Sequence, residues 1–270
     1  MSGKLLSRGD APFSDKVWAK IDEAVVSAAK SQLGGRRLLS VDGPYGLGLK
    51  SLPGPDREVT EKAAKDVRLT ASGVTPVAMI EAGFRLAARD IAAFEESGLP
   101  LSLGAAVAAA ISCAQQEDAL IFQGSRALGT AGLATADGVQ TAKLGAWNEV
   151  GAAAEDVIAA VTKLDSAGFH GPYTLALAPE RYNLLFRRYP QGNGTELQHI
   201  EGIVAAGVVK AAAVKSGGLL IASGPQYAAI VLGQDLTAGF VGPDGRDFEF
   251  TVSESLALRL LVPAAVCVLK

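Results

Sequence analysis

The chain has 270 residues, of which 49% are hydrophobic and only 6% aromatic, and its formal net charge is −3. This length can bury a sizeable core in one large domain or two smaller ones. The acidic balance argues against a protein that coats nucleic acid, and no apolar run reaches the roughly 18 residues that a membrane-spanning helix needs. We therefore expect no nucleic-acid partner and no membrane partner.

The first predicted element is an amphipathic helix. Ser14 is a good N-cap, and Gly34-Gly35 is typical of a helix end. Between them one apolar stripe follows the helical period: Trp18, Ile21, Val25, Ala28 or Ala29, and Leu33. Residues 1–37 carry seven basic and four acidic side chains, a local charge of +3. This excess indicates either a solvated helix face or a basic surface for an acidic partner segment.

A polar, proline-interrupted excursion follows over residues 47–70. It comes directly after the first of two Gly-Pro-Tyr tripeptides, at 43–45 and 171–173, which suit sharp changes of chain direction. Pro53-Gly54-Pro55 breaks regular structure, and the alternation in Val67-Arg68-Leu69-Thr70 predicts a returning strand. Such a segment is either a floppy loop or an arm that lies on another subunit, and composition does not separate the two.

Two helices are predicted next. Thr75-Pro76 is typical of a helix start, and apolar residues at helical spacing follow it up to Gly98. Ser102 caps a second, alanine-rich helix that ends near Gly124. The glycine-rich stretch 124–142 is interpreted as a connection between two lobes.

The second half of the chain mixes helix and strand. The spacing predicts a helix over 147–164, an apolar strand over 173–178 and a short helix over 179–188. Glycine and proline separate the remaining predicted strands: 208–214, 219–223, 227–232, 248–253, 256–262 and 266–269. A turn between two strands is predicted at 232–236, with Asp235 bonding backbone amides. This order of elements is that of an α+β fold.

Catalytic motifs are absent from the sequence. His170 and His199 are the two histidines, and neither has a cysteine or carboxylate at a metal-ligand spacing. There is no G-x-S-x-G elbow and no phosphate-binding loop. Glu117-Asp118 is a candidate carboxylate pair, but such a pair is more typical of a solvated helix face. We therefore expect no enzyme activity, no catalytic residue and no metal site.

Two cysteines and the first residues of the chain bear on the compartment. Cys113 and Cys267 lie in apolar stretches, as free thiols in a reducing cytosol do. Residues 1–8 contain charge but no apolar h-region, so no secretory signal is predicted. These features favour the cytoplasm.

A series of short segments occurs in one order along the chain. Its members are Ala11-Pro12, Trp18, Ile21-Asp22, Gln32-Leu33, Gly35-Arg36-Arg37, Val41 to Gly46, Glu117-Asp118, Ile121-Phe122, Gly124, Gly171 to Leu175, Leu232 to Leu236 and Glu254-Ser255. In this order the segments resemble the encapsulin shell proteins, whose shells have the HK97-type phage capsid fold. The resemblance runs from about Leu5 to Leu269, so it covers nearly the whole chain.

The resemblance implies a domain organisation. Residues 1–46 correspond to the N-terminal arm and inner-wall helix, and 47–75 to the extended E-loop that lies on the adjacent subunit. Residues 76–130 and 225–270 correspond to a discontinuous P-domain with its spine helix, and 131–224 to the A-domain. Many copies of one chain, sixty or a multiple of sixty, close into an icosahedral nanocompartment.

The resemblance also implies a cargo and a site for it. The family's shells enclose a cargo enzyme, here a ferritin-like iron oxidase or a dye-decolourising-type peroxidase, with roles in iron storage or oxidative stress. A C-terminal peptide of the cargo docks in a groove on the inner wall. The matching positions are Leu33, Arg36, Leu38, Asp235, Leu236 and Ala238. Core packing is an equally good interpretation of the apolar members.

Two further sites follow from the resemblance. The loop around the fivefold pore corresponds to Tyr189, Pro190, Gln191, Gly192, Asn193, Gly194 and Thr195. Some relatives stack a flavin on a tryptophan of the spine helix, but the comparable stretch here, 86–91, has no tryptophan, so no cofactor is expected. Ser40 replaces an acidic residue of a relative, which leaves the polar contacts of the groove open.

Two other functions remain as alternatives. One is a prophage or viral major capsid protein of the same fold, but DNA packaging favours a basic inner surface and a scaffolding region, and nothing before Leu5 could serve as a scaffold. The other is a small-molecule enzyme of the α+β class, which the missing catalytic motifs disfavour.

Overall fold

Two separate β-sheets, each covered by helices, organise the chain in the computed structural model. The structure describes residues 5–59, 67 and 69–270. The helices are α1 (Asp15–Gln32), α2 (Gly35–Leu38), α3 (Ala88–Ser97), α4 (Gly104–Gln123), α5 (Ala152–Ser166), α6 (Pro179–Leu184) and α7 (Glu196–Val204). The strands are β1 (Ser40–Asp42), β2 (Ser51–Glu58), β3 (Thr70–Pro76), β4 (Ala78–Ala87), β5 (Gly124–Ser125), β6 (Thr130–Ala131), β7 (Gln140–Ala142), β8 (Tyr173–Leu177), β9 (Ala205–Lys210), β10 (Gly218–Ala222), β11 (Ala228–Asp244), β12 (Asp247–Leu260) and β13 (Val266–Leu269).

The first sheet has the order β1-β11-β12-β4. Its centre is the long hairpin of β11 and β12, which pair antiparallel, while β1 joins β11 in parallel. Helices α1 and α4 pack on this sheet, and the first part of the stripe predicted for α1 faces it, since Trp18, Ile21 and Val25 are buried there. Val17, which was outside the predicted stripe, is buried with them. Rings from both layers meet there, with Trp18 of α1 edge-to-face on Phe250 of β12 at 5.8 Å between centroids. The first core therefore lies between these helices and the sheet.

The second sheet has the order β7-β13-β10-β8-β9. Its central strands β8, β10 and β13 are buried at every residue, as expected for strands that are covered on both faces. One face contributes to a second core together with α5 and α7. The C-terminal strand β13 belongs to this sheet, although its residues are far in sequence from β7, β8 and β10.

Strands β2 and β3 form a two-stranded sheet of their own. Ser51 pairs with Pro76 at its base and Glu58 with Thr70 toward its tip. The returning strand begins at Thr70 rather than at the predicted residue 67, and the predicted strand residue 68 lies outside the described residues, as do 60–66.

The helix predicted from Thr75 to Gly98 is wrong in its first half. The chain forms strand β4 up to Ala87 and becomes helical only from Ala88. Ile80 and Phe84 are four residues apart, a spacing that fits one face of a helix and one face of a strand equally well. These residues form a strand rather than a helix because β4 pairs antiparallel with β12. The stretch 86–91, compared above with a spine-helix segment, therefore spans a strand end and a helix start, and α4 is the long helix.

Three other local predictions are also wrong. Residues 232–236 continue β11 through two register shifts instead of turning, and the predicted strands 248–253 and 256–262 are one strand, β12. Helix α5 begins at Ala152, so Trp147 precedes it. Helix α7 was missed, because its start follows a glycine-rich loop. The α+β class is nevertheless confirmed by the observed mixture of helices and sheets.

Candidate peptide groove and the carboxylates beneath it

Arg36 joins three distant parts of the chain. Its guanidinium lies 2.7 Å from Glu117 Oε2 on α4, 2.7 Å from Asp235 Oδ1 on β11 and 2.9 Å from Glu254 Oε2 on β12. Glu117 and Glu254 are fully buried, whereas the side chain of Asp235 is 54% exposed. Charge-assisted hydrogen bonds of this kind fix orientation strongly. Helix α2 is thereby fastened to the long helix and to the first sheet.

The prediction that Glu117 and Asp118 form a solvated helix face is wrong, because both side chains are buried. Asp118 accepts hydrogen bonds from the backbone N–H groups of Gly34, at 2.8 Å, and Gly35, also at 2.8 Å. A Cβ atom at Gly35 would lie 2.6 Å from Ile121 Cδ1, so glycine permits this close approach. The Gly34-Gly35 break thus brings α2 against α4, and Asp118 satisfies the amides that the break frees.

Burial shifts the pKa values of these acids. Burial, and then the neighbouring Glu117, raises the pKa of Glu254 to about 9. Burial also raises the pKa of Asp118, against the lowering effect of the Gly35 and Gly34 amides. For Arg36 burial acts to lower the pKa, but the carboxylates of Glu117 and Asp235 outweigh it and raise the pKa above its ordinary value. Arg36 therefore stays charged among these acids.

Beside Arg36 lies a small apolar patch on α1, α4 and β11. Ala29, Leu33 and Ala114 are buried and pack together, and Leu236 packs against them while remaining partly exposed. The register shifts in β11 on either side of Gln234 place Asp235 and Leu236 at this patch, as β-bulges commonly re-aim side chains. We call the patch and the exposed Asp235 carboxylate beside it the candidate groove.

The six predicted groove residues therefore separate into two sets. Leu33, Arg36, Asp235 and Leu236 come together at the candidate groove. Leu38 and Ala238 lie in the main core, where they are 5% and 0% exposed. A groove role for these two stays a prediction, and in this structure they serve core packing.

The predicted pore loop, residues 189–195, connects α6 to α7. Its first residue is anchored by a 2.8 Å hydrogen bond between Tyr189 Oη and His199 Nδ1. Thr195 ends the loop and caps α7 in a capping box with Gln198. Between these anchors residues 190–194 are all exposed. The loop thus presents backbone and small polar groups between two fixed ends.

Glu196 was missed as a structural residue of this region. It is fully buried, accepts from the backbone N–H groups of Gly151 and Ala153 at the start of α5, and pairs with Arg187 at 3.2 Å. A carboxylate at a helix N-terminus is favoured by the helix dipole. Glu254 was likewise given no role of its own, although a single acid inside an apolar strand segment is a signal that could have singled it out.

Within the described part of the chain, the requirements of a metal site and of a membrane-spanning helix are not met. In the described ranges, 5–59, 67 and 69–270, no group of three or more His, Cys, Asp or Glu side chains could hold a metal ion. No helix there is long and apolar enough to cross a membrane.

Comparison with protein families decides the relationship. The family model Linocin_M18, described as "Encapsulating protein for peroxidase", matches residues 3–257. The chain belongs to the encapsulin shell family. The resemblance found in the sequence is therefore confirmed.

Individual relatives agree with this assignment. The encapsulin chain is 32% identical over 275 residues to the type 1 encapsulin shell protein EncA of Myxococcus xanthus, covering 98% of this chain and 96% of the relative. The virus-like particle of Pyrococcus furiosus superposes with a TM-score of 0.72 at 22% identity, over 94% of this chain and 99% of that one. The capsid of Myoviridae phage XM1 gives 0.58 at 12% identity, over 86% and 88% of the two chains. These structures confirm the predicted capsid fold.

Proposed function

We propose that many copies of this encapsulin chain, sixty or a multiple of sixty, close into an icosahedral shell around a cargo enzyme. The observation that carries the proposal is uncovered apolar surface on the β2–β3 hairpin. Val67, Leu69 and Val74 are 59%, 45% and 64% exposed, although each is a side chain that folding normally covers. In the proposal this hairpin is the E-loop of residues 47–75 and it buries these side chains on a neighbouring subunit.

The proposal assigns the two sheets to two domains. The P-domain comprises residues 76–130 and 225–270 and contains α4 as its spine helix, and the A-domain comprises 131–224. Strand β13 falls within the P-domain range but pairs with β7 and β10, so the P-domain range contributes one strand to the sheet of the A-domain. The exposed loop 189–195 lines the pore at the fivefold axis, where its small residues leave space for ions and small substrates.

The proposed cargo contact is the candidate groove. Leu236 is the partly exposed member of the apolar patch and packs on the buried Leu33, Ala29 and Ala114, which suits contact with leucine or isoleucine side chains of a docked C-terminal peptide. The guanidinium of Arg36 is already bonded to three carboxylates. Its proposed role is therefore to position Asp235 and not to bind the peptide directly. Asp235 presents the charged group at the rim.

The description of the matching family model favours a peroxidase as cargo, and a ferritin-like iron oxidase is the alternative within the family. The shell chain itself is proposed to have no catalytic activity and no flavin or other cofactor. Two buried free cysteines fit assembly in the reducing cytoplasm.

The test is purification of the chain with and without its native cargo. Negative-stain microscopy and light scattering are expected to show closed particles, and mass spectrometry is expected to find one enzyme in excess among the co-purified proteins. A chain that stays monomeric or dimeric at high concentration contradicts the assembly. Particles with strong absorbance at 260 nm would instead favour the viral alternative, for which the likeness to phage capsids shows only the fold.

A further inference from the structure

Two buried acids beneath the candidate groove bind the same nitrogen atom. Glu117 on α4 and Glu254 on β12 are both 0% exposed, and their Oε2 atoms accept from Arg36 Nη2 at 2.7 Å and 2.9 Å, so the two carboxyl groups are neighbours. Two ionised carboxylates this close and this buried would repel each other, whereas a proton on one of them turns one oxygen into a donor. The placement of both acids on one nitrogen therefore points to a proton held in this pair.

The surrounding charges do not remove the need for that proton. Arg36 is the cation that bonds both acids, and it also bonds a third carboxylate, Asp235. The other titratable groups near this cluster are acids and a thiol, together with one arginine. Asp118 and the Cys113 thiol lie on α4, and Glu81 lies on the neighbouring strand β4. Arg37 on α2 is a cation, but its charge acts on Asp118.

One atom of Glu254 is left without a partner. Its Oε2 accepts from Arg36, but Oε1 is buried and accepts from no donor within 5–59, 67 and 69–270. A buried acceptor with no donor costs free energy, whereas a protonated carboxyl group turns one oxygen into a donor. Protonation of Glu254 would remove this cost by giving the group a hydrogen bond to Glu117.

We propose that Glu117 and Glu254 share one proton at neutral pH, and that loss of this proton at alkaline pH loosens the joint between α2, α4 and β12. Two ionised, buried carboxylates would then repel each other across a single guanidinium. The joint fastens the N-terminal helices to the first sheet, so these helices are the part that is released. This inference needs neither a shell nor a cargo and goes beyond the proposed function.

The direction of the pH dependence follows from linkage. The ordinary pKa of glutamate is 4.5, and burial with the neighbouring Glu117 raises that of Glu254 to about 9 in the folded chain. Between these values the folded state binds more protons than the unfolded state, so stability falls as pH rises. The stabilisation is complete below the ordinary value and is lost as pH rises through about 9.

An infrared titration of the full chain tests for the proton directly. We expect the carbonyl stretch of a protonated carboxyl group at pH about 7, its loss near the pH where Glu254 ionises, and its absence in Glu254→Gln. Glu81→Gln is the matched control, because Glu81 is an exposed acid on the adjoining strand, and it should keep the band. No protonated carboxyl band in the folded wild-type chain, or a band that persists in Glu254→Gln, overturns the proposal.

Thermal unfolding tests the joint. We expect the wild-type Tm to fall by several degrees more than that of Glu254→Gln between pH about 7 and about 10, and hydrogen exchange in α2 to accelerate over the same range. Equal pH slopes for the two proteins overturn the coupling. Should Glu254→Gln fail to fold, the wild-type infrared band and its pH of loss decide the question alone.

Discussion

Arg36 Nη1 and Asp235 Oδ1 lie 2.7 Å apart although 199 positions separate them in the chain. The same guanidinium holds the buried Glu117 and Glu254, so one side chain of α2 connects α4, β11 and β12. Asp235 is the exposed member of the cluster and lies beside Leu236 at the candidate groove. The geometry of the groove rim therefore depends on an ion-pair network that is mostly buried.

Removal of Arg36 should unfold the joint rather than affect only peptide binding. Arg36→Ala leaves two buried carboxyl groups without their cation, and the expected loss is about 3 kcal/mol or more in the free energy of unfolding. Arg36→Glu should be worse, since it adds a further acid. Chemical denaturation measures both. Lys30→Ala is the control because Lys30 is an exposed cation of α1, and an Arg36→Ala protein as stable as this control would contradict the network.

The candidate groove can be tested at Leu236. Leu236→Asp places a charge on the apolar floor beside Asp235, so we expect particles to form but to capture at least about tenfold less cargo, as expected for a lost apolar anchor and added repulsion. Quantitative mass spectrometry of purified particles gives the ratio. Val26→Asp serves as the control, because Val26 is an exposed residue of α1, 41% accessible, outside the patch. Unchanged cargo in Leu236→Asp would remove the groove from this position.

Deletion of residues 52–66 should separate folding from assembly. The hairpin forms a sheet of its own and exposes apolar side chains, so its loss leaves both cores intact but removes the proposed contact with a neighbour. We expect folded subunits by circular dichroism and no closed particles by negative-stain microscopy. Intact shells from the shortened chain would count against the E-loop assignment.

The loop at 189–195 should loosen when its anchor is removed. Tyr189→Phe deletes the hydrogen bond to His199, which is worth about 1 kcal/mol, so amide exchange within 190–194 should rise several-fold. Tyr182→Phe is the matched control. Lys210 contacts the face of the Tyr182 ring, and a phenylalanine ring keeps that contact. Equal exchange in the two variants would show that the loop is held by other contacts.

Several elements were predictable because their signals are local. The stripe of α1, the Gly34-Gly35 break and the buried strand β8 follow from residue periodicity and glycine placement alone. The ordered motifs also carried the family assignment, which the comparisons confirm. At the candidate groove, Leu33, Arg36, Asp235 and Leu236 were expected to lie near one another, and they do. That expectation came only from the resemblance to the family, not from a local pattern.

Other features could not be predicted because they depend on what a segment packs against. Spacing alone allows residues 78–87 to be a helix face or a strand face, and pairing with β12 selects the strand. Glu117 and Asp118 look like solvated acids in sequence, since nothing local shows that α2 covers them. The membership of the two sheets also does not follow the order of the strands along the chain. Strand β13 comes after β11 and β12 of the first sheet but belongs to the second sheet.

The sequence by itself determined the family, the α+β class and the helices and strands whose apolar residues repeat with one clear period. The tertiary structure alone decided which acids are buried, which arginine neutralises them, and which residues of the predicted groove lie together. The reason is that burial and ion pairing here depend on distances between residues 81 to 218 positions apart, whereas a periodic pattern reports only on neighbours within a few residues.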